Sequence, residues 1–159
     1  ALWLRRAADQ GNTQAMVDLG MLYEAGRGVK KDETEALALY RSAAARDNPW
    51  AMTRLGTLYR EGRGVEKNTD EAWNWYMKAQ RFDEPGAEKA LGEMLANGEG
   101  RPKNQADANY WFKRTDDRIR MGLYQYTATT EGQLVLYRLG LKGDIPREKP
   151  PLKMRRKSE

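Results

Sequence analysis

Few side chains in this sequence could do covalent chemistry. It has no cysteine and no histidine. That removes disulfides, thiolate nucleophiles and thiolate metal sites, together with the commonest general base and transition-metal ligand. The only serines are Ser42 and Ser158. A Ser–Lys pair stays formally open, but Ser42 falls inside a helical repeat pattern and has no imidazole to activate it. Acids are many, yet those at Glu35, Glu71 and Asp107 sit where helix capping uses them, and no unexplained pair stands out for glycoside hydrolysis. Three Gly-x-Gly pairs begin at Gly26, Gly62 and Gly98. A phosphate loop needs a third glycine and a preceding strand, and these pairs follow helical patterns, so helix termination explains them. No catalytic residue, no cofactor-binding residue and no metal ligand is expected.

Those positions make sense only as columns of a repeat. Leu19-Gly20 recurs as Leu55-Gly56 and Leu91-Gly92, 36 residues apart each time. Ala15, Ala51 and Ala87 keep the register, as do Lys31, Lys67 and Lys103, then Ala36, Ala72 and Ala108, then Tyr40, Tyr76 and Phe112. Three units follow: 13–48, 49–84 and 85–120. Residues 1–12 match the second half of a unit, with Trp3-Leu4 in the place of Leu39-Tyr40, so the chain is read as starting inside a repeat and as part of a longer or processed protein.

Each unit predicts two helices. The first is expected near 13–25, 49–61 and 85–97, with Pro49 and Pro85 at the first helical position and Asn48 as a cap. Gly26, Gly62 and Gly98 end these helices. The second opens at Asp32, Asn68 and Asn104, each three residues before an acid, which predicts a capping box. Alternating small and aromatic positions (Ala36, Tyr40, Ala43; Ala72, Tyr76, Ala79) predict close helix packing, and Trp75 and Trp111 are expected in the core with them. One unit cannot bury its apolar face alone, so the units must stack.

The pattern Ala-x3-Leu-Gly-x2-Tyr-x2-Gly-x-Gly-Val, then Asp/Asn-x3-Ala-x3-Tyr-x2-Ala, resembles the Sel-1-like repeat family, relatives of the tetratricopeptide repeat. It is clear in 13–48 and 49–84. It wears away in 85–120, where Leu95, Arg101 and Thr115 depart from it. The resemblance implies an all-α, right-handed α-solenoid of helix–turn–helix repeats, and a non-catalytic scaffold or adaptor for a protein or peptide partner on a concave surface. It also implies bacterial signalling, envelope or host-interaction settings; a regulatory or immunity protein is one version.

In such repeats the first helices line the inner surface. Their columns away from the Leu19, Leu22 and Tyr23 face give the expected partner-binding set: Val17, Met21, Trp50, Arg54, Thr57, Lys89 and Glu93. Aromatic, methionine and arginine side chains are favoured anchors at interfaces. Trp50 and Arg54 form an i, i+4 pair that could instead stack on itself. A polysaccharide-binding or hydrolytic accessory module is the alternative, which exposed aromatics beside acids would favour.

Beyond the repeats, Thr130 and Gln133 open an apolar stretch that ends at Gly143 and Pro146. It predicts a capping helix near 131–141 within a C-terminal cap, 121–145, while 122–129 is left between loop and short strand. Residues 146–159 read as a basic, disordered tail. The net charge is +5; residues 147–159 hold six cations against two acids, so the rest carries only +1. Specific nucleic-acid binding is therefore not expected, and the tail reads as solvated. No apolar run approaches the roughly 20 residues that span a bilayer. Bacterial periplasm and cytoplasm both stay open, as does the oligomeric state.

Overall fold

The computed structural model describes residues 1–127. Among them lie seven helices and no strand: α1 (Leu2–Asp9), α2 (Thr13–Ala25), α3 (Glu33–Ala44), α4 (Pro49–Glu61), α5 (Thr69–Gln80), α6 (Pro85–Asn97) and α7 (Gln105–Thr127). Ala1–Lys113 is one compact unit, and Arg114 begins another. Within the first, each helix packs on the next in order from α1 to α6, and α4 also meets α6. This is an all-α helical-repeat solenoid. Residues 122–127, open between loop and strand from the sequence, are helical as the end of α7. The expected capping helix at 131–141 and the basic tail lie outside the described residues.

The first helices have the bounds the sequence predicts. Asn12 and Asn48 cap α2 and α4, accepting from Ala15 N at 2.9 Å and Ala51 N at 3.0 Å. Glu84 caps α6 in the same way, accepting from Gly86 N and Ala87 N. Gly26, Gly62 and Gly98 end the three helices in the left-handed conformation, at φ 65°, 72° and 73°. The second glycine has a different role in the later two pairs, where Gly64 and Gly100 pass close to the preceding second helix. At Gly64 (φ 67°) a Cβ would stand 2.6 Å from the Glu33 carbonyl oxygen, so the loop can cross the head of α3 only without a side chain.

The capping boxes form only in part. Asp32, Asn68 and Asn104 accept from the backbone N–H three residues on. Their own N–H groups donate not to the acid but to the carbonyls of Tyr23, Tyr59 and Leu95, closing the turn between helices. Glu35 pairs instead with Arg5 at 3.0 Å, while Asp107 accepts from the Asn104 side-chain amide at 2.7 Å. The aromatic columns also divide. Tyr40 and Tyr76 are fully buried, whereas Trp75 and Trp111, expected with them in the core, are only partly buried, and Trp3 in the same column is exposed.

The Leu-Gly signature has a direct steric cause. A Cβ on Gly56 would lie 2.5 Å from Cε1 of Tyr76; Gly20 meets Tyr40 and Gly92 meets Phe112 in the same way, at 2.6 Å. In every unit the ring of the second helix lies against the bare backbone of the first. The tyrosine hydroxyls are satisfied at that depth: Tyr40 Oη donates to Glu24, and Tyr76 Oη lies 3.2 Å from Thr57 Oγ1. Gly56→Ala should destabilise the chain by about 1–3 kcal/mol through overpacking, and Tyr76→Ala by about 3–5 kcal/mol through the cavity it leaves. In the double variant the clash has no ring to meet, so urea denaturation should show a combined loss clearly below the sum. Strict additivity would contradict this packing.

Candidate functional site

A cavity of about 480 Å³ opens beside α2 and α4. Its apolar surface comes from Leu4, Met21, Leu22 and Ala25, and its charged surface from Asp18, Glu24, Arg27, Arg54 and Arg63. Glu24, near the end of α2, is 6% exposed. A buried carboxylate must be paired, and three groups converge on it. Tyr40 donates its hydroxyl, Arg54 donates from Nη2 and, at 3.2 Å, from Nε, and Arg63 Nη2 forms an ion pair with Oε1 at 3.2 Å. Burial and the Glu24 hydrogen bond push the Tyr40 phenol well above its usual range. Burial opposes the charge of Arg54, but Glu24 outweighs it and raises the guanidinium pKa.

The pattern continues one repeat further. Arg60 of α4 holds Glu99 through Nε at 2.6 Å and Nη2 at 2.7 Å, and Glu93 of α6 at 3.0 Å. Arg63 also reaches Glu33 at 3.1 Å. Charges of each unit are therefore closed by counter-charges of the next. Sequence reasoning missed Glu24, Arg60, Arg63 and Glu99. The signal was present in the columns: Glu24 aligns with Arg60, Asp18 with Arg54, and Arg63 with Glu99. Opposite signs in one column let neighbouring units pair.

Of the expected binding residues, the structure brings Met21 and Arg54 together at the cavity. Arg54 lies over the Tyr40 ring, 5.9 Å from its centroid, rather than stacking on Trp50. Trp50, at the head of α4, is 58% exposed. Thr57 bonds the Thr53 carbonyl of its own helix. Glu93 is tied to Arg60, with the exposed Lys89 3.9 Å away. Val17 is a correction: it is wholly buried and cannot meet a partner. In its column Thr53 hydrogen-bonds Glu84 at the head of α6, which shows that this position faces the next unit rather than solvent. Among the described residues no cluster of acids could hold a metal ion, and no helix is long and apolar enough to cross a membrane.

The Arg60–Glu99 pair fixes an acid limb. Its hydrogen bonds from Arg60, against opposing burial, hold the Glu99 carboxyl down at about 2. A carboxyl held below its free value of 4.5 adds stability that is complete above that pH. The contribution drains away as pH falls toward about 2. Arg60→Gln should thus lower stability at neutral pH and flatten its decline across that window, measured by urea denaturation at a series of pH values. An unchanged slope would remove Glu99 as the cause.

The comparisons with known proteins accord with this architecture. The family model described as Sel1 repeat matches residues 1–12, 13–48, 51–79 and 85–115. Among solved structures, the chain is similar to a protective antigen of uropathogenic Escherichia coli with an SLR fold. The identity is 30%, the TM-score 0.69, and the match covers 79% of this chain and 28% of that one. It is also similar to a Sel1 repeat protein from Oxalobacter formigenes, at 33% identity and TM-score 0.65, over 81% of this chain and 50% of that one. The chain thus spans half or less of these relatives. No curated protein matches it. Sel1 repeat proteins are generally protein–protein interaction scaffolds and generally non-catalytic. With its repeats matched over most of the length, this chain belongs to the Sel1 repeat family.

Proposed function

We propose that this chain is a non-catalytic scaffold or adaptor that holds a protein or peptide partner against the face formed by α2, α4 and α6. The observation that carries the reading is the cavity beside α2 and α4, where the exposed side chain of Met21 lies beside Arg54 and Arg63, both already fixed by Glu24. A surface of that kind combines an apolar anchor site with a polar rim, and Arg54 and Arg63 cost little to order on binding because Glu24 already orders them. Trp50 extends the anchor set, and Arg54, Thr57, Lys89 and Glu93 supply the rim. Val17 supports them from beneath.

Both solved neighbours are bacterial proteins, which supports a bacterial setting, and a regulatory or immunity complex is the version proposed. A rigid inner face with fixed charges suits the recognition of one partner protein, and the binding itself requires no reacting group.

The test is capture by the immobilised chain from a bacterial lysate, with mass spectrometry and then affinity measurement on the recovered partner. Trp50→Ala and Met21→Ala should each weaken binding by about tenfold or more, with Tm unchanged. Capture unaffected by both variants would reject this face. A Trp50→Ala chain that melts early would show Trp50 to be structural, and retention of a soluble polysaccharide in place of a protein would favour the accessory-module alternative.

A further inference from the structure

A second recess lies away from that face, where α3 and α5 flank α4. Its volume is about 440 Å³. Met52 of α4, Trp75 of α5 and Phe82 just beyond it provide the apolar walls, and Phe82 is 47% exposed. Three cations line the same recess, Arg41, Lys78 and Arg81, against one acid, Asp47. Lys78 Nζ stands 4.0 Å from the centre of the Trp75 ring, and Arg41 donates to Tyr59 Oη at 2.7 Å. Arg81 and Asp47 have no side-chain partner among the described residues. The Trp75 indole N–H is buried without an acceptor.

The repeat supplies its own comparison. Shifted back by 36 residues, the same corner holds Arg46 in place of Phe82 and Gly11 in place of Asp47. There Arg46 Nη1 donates to the Gly11 carbonyl at 2.9 Å, tying one unit to the next. Ser42 and Ala45 stand where Lys78 and Arg81 do. The fold therefore requires neither Lys78 and Arg81 nor the exposed ring. At the second junction the internal tie is gone, and an exposed aromatic edge with Lys78 and Arg81 beside it takes its place.

We infer that this recess is a docking site for an acidic peptide segment of a partner protein, one that carries an apolar side chain beside its carboxylates. The complementarity is of charge and of hydrogen bonding. The walls present three cationic side chains against one carboxylate, so the occupant must bring negatively charged acceptors. Met52, Phe82 and Trp75 offer apolar and aromatic surface of side-chain size. A nucleic-acid strand fits less well, because the chain outside residues 147–159 carries a net charge of only +1, leaving no extended basic track. The site uses none of the residues of the face proposed above, and either can fail without the other.

The test uses the full chain labelled with ¹⁵N, following the Trp75 indole resonance, which Trp75→Phe identifies by its loss. The probes are the blocked peptides Glu-Glu-Phe-Glu-Glu, Glu-Glu-Ala-Glu-Glu and Lys-Lys-Phe-Lys-Lys, and an oligothymidylate. The first should shift the indole signal saturably below about 1 mM and weaken with added salt. The alanine peptide should bind more weakly and the lysine peptide not at all. Lys78→Glu with Arg81→Glu should reduce affinity by about tenfold or more. Both side chains are exposed or rim-placed, and an unchanged melting curve would show the fold intact. A signal unmoved by the acidic peptide, equal binding by the charge-reversed chain, or tighter binding of the oligothymidylate would each overturn the inference.

Discussion

Each unit is organised by one contact, an aromatic ring of the second helix laid on a glycine of the first. The distances leave no room for even a methyl group at Gly20 or Gly56. Removing the Cβ lets the two helices approach until the ring fills the space between them, and the small residues around it, Ala36, Ala43, Ala72 and Ala79, complete the packing at zero exposure. Glycine inside a helix costs about 0.5–1 kcal/mol relative to alanine. The burial of a large side chain offsets that several times over. The third unit uses Phe112 where the others use tyrosine, and the column that supplies Glu24 in the first unit supplies Ala96 there. A ring without a hydroxyl needs no buried acceptor.

Between units the bonding changes character. Apolar contact still joins α3 to α4 and α5 to α6, but the first-helix side is closed by Glu24 with Arg54 and Arg63, then by Arg60 with Glu93 and Glu99. Buried ion pairs are poor sources of net stability, because desolvation offsets most of the attraction. Their effect here is on register. A unit shifted along its neighbour would leave Glu24 buried without a cation, a far larger penalty than the gain from any single pair. The same fixed guanidinium groups then give the face a charge pattern that is rigid before a partner arrives.

Much of this was legible in the sequence. Helix ends were, because proline and glycine act locally: Pro49 and Gly62 bound α4 at the residues their chemistry predicts. The core column was legible from its period. What stayed hidden depends on residues 30 to 39 positions apart, such as Arg60 with Glu99 and Arg54 with Glu24. Local rules cannot rank such pairs. The capping boxes misled for a related reason: a carbonyl from the preceding helix took the N–H that local logic assigned to the acid. Val17 misled because a helix in a stack has neighbours on three sides, so a position away from one apolar face can still be buried by the next unit. Trp50 and Met21, whose columns change type between units, stayed at the surface.

That contrast gives a general way to divide structure from function in a repeat protein. A column that keeps its residue type in every unit answers to packing, as Gly20, Gly56 and Gly92 do. A column that changes type, while its neighbours hold the fold unaltered, is released from that duty. Position 46 of the first full unit is an arginine that ties two units together; its counterpart Phe82 ties nothing and stands half in solvent. Exposing an aromatic ring has a solvation cost, and giving up the tie forfeits a hydrogen bond. The fold gains nothing from either. A contact made outside the chain would compensate for both, which is why the second junction, rather than the better-formed first, is the place where an additional partner fits.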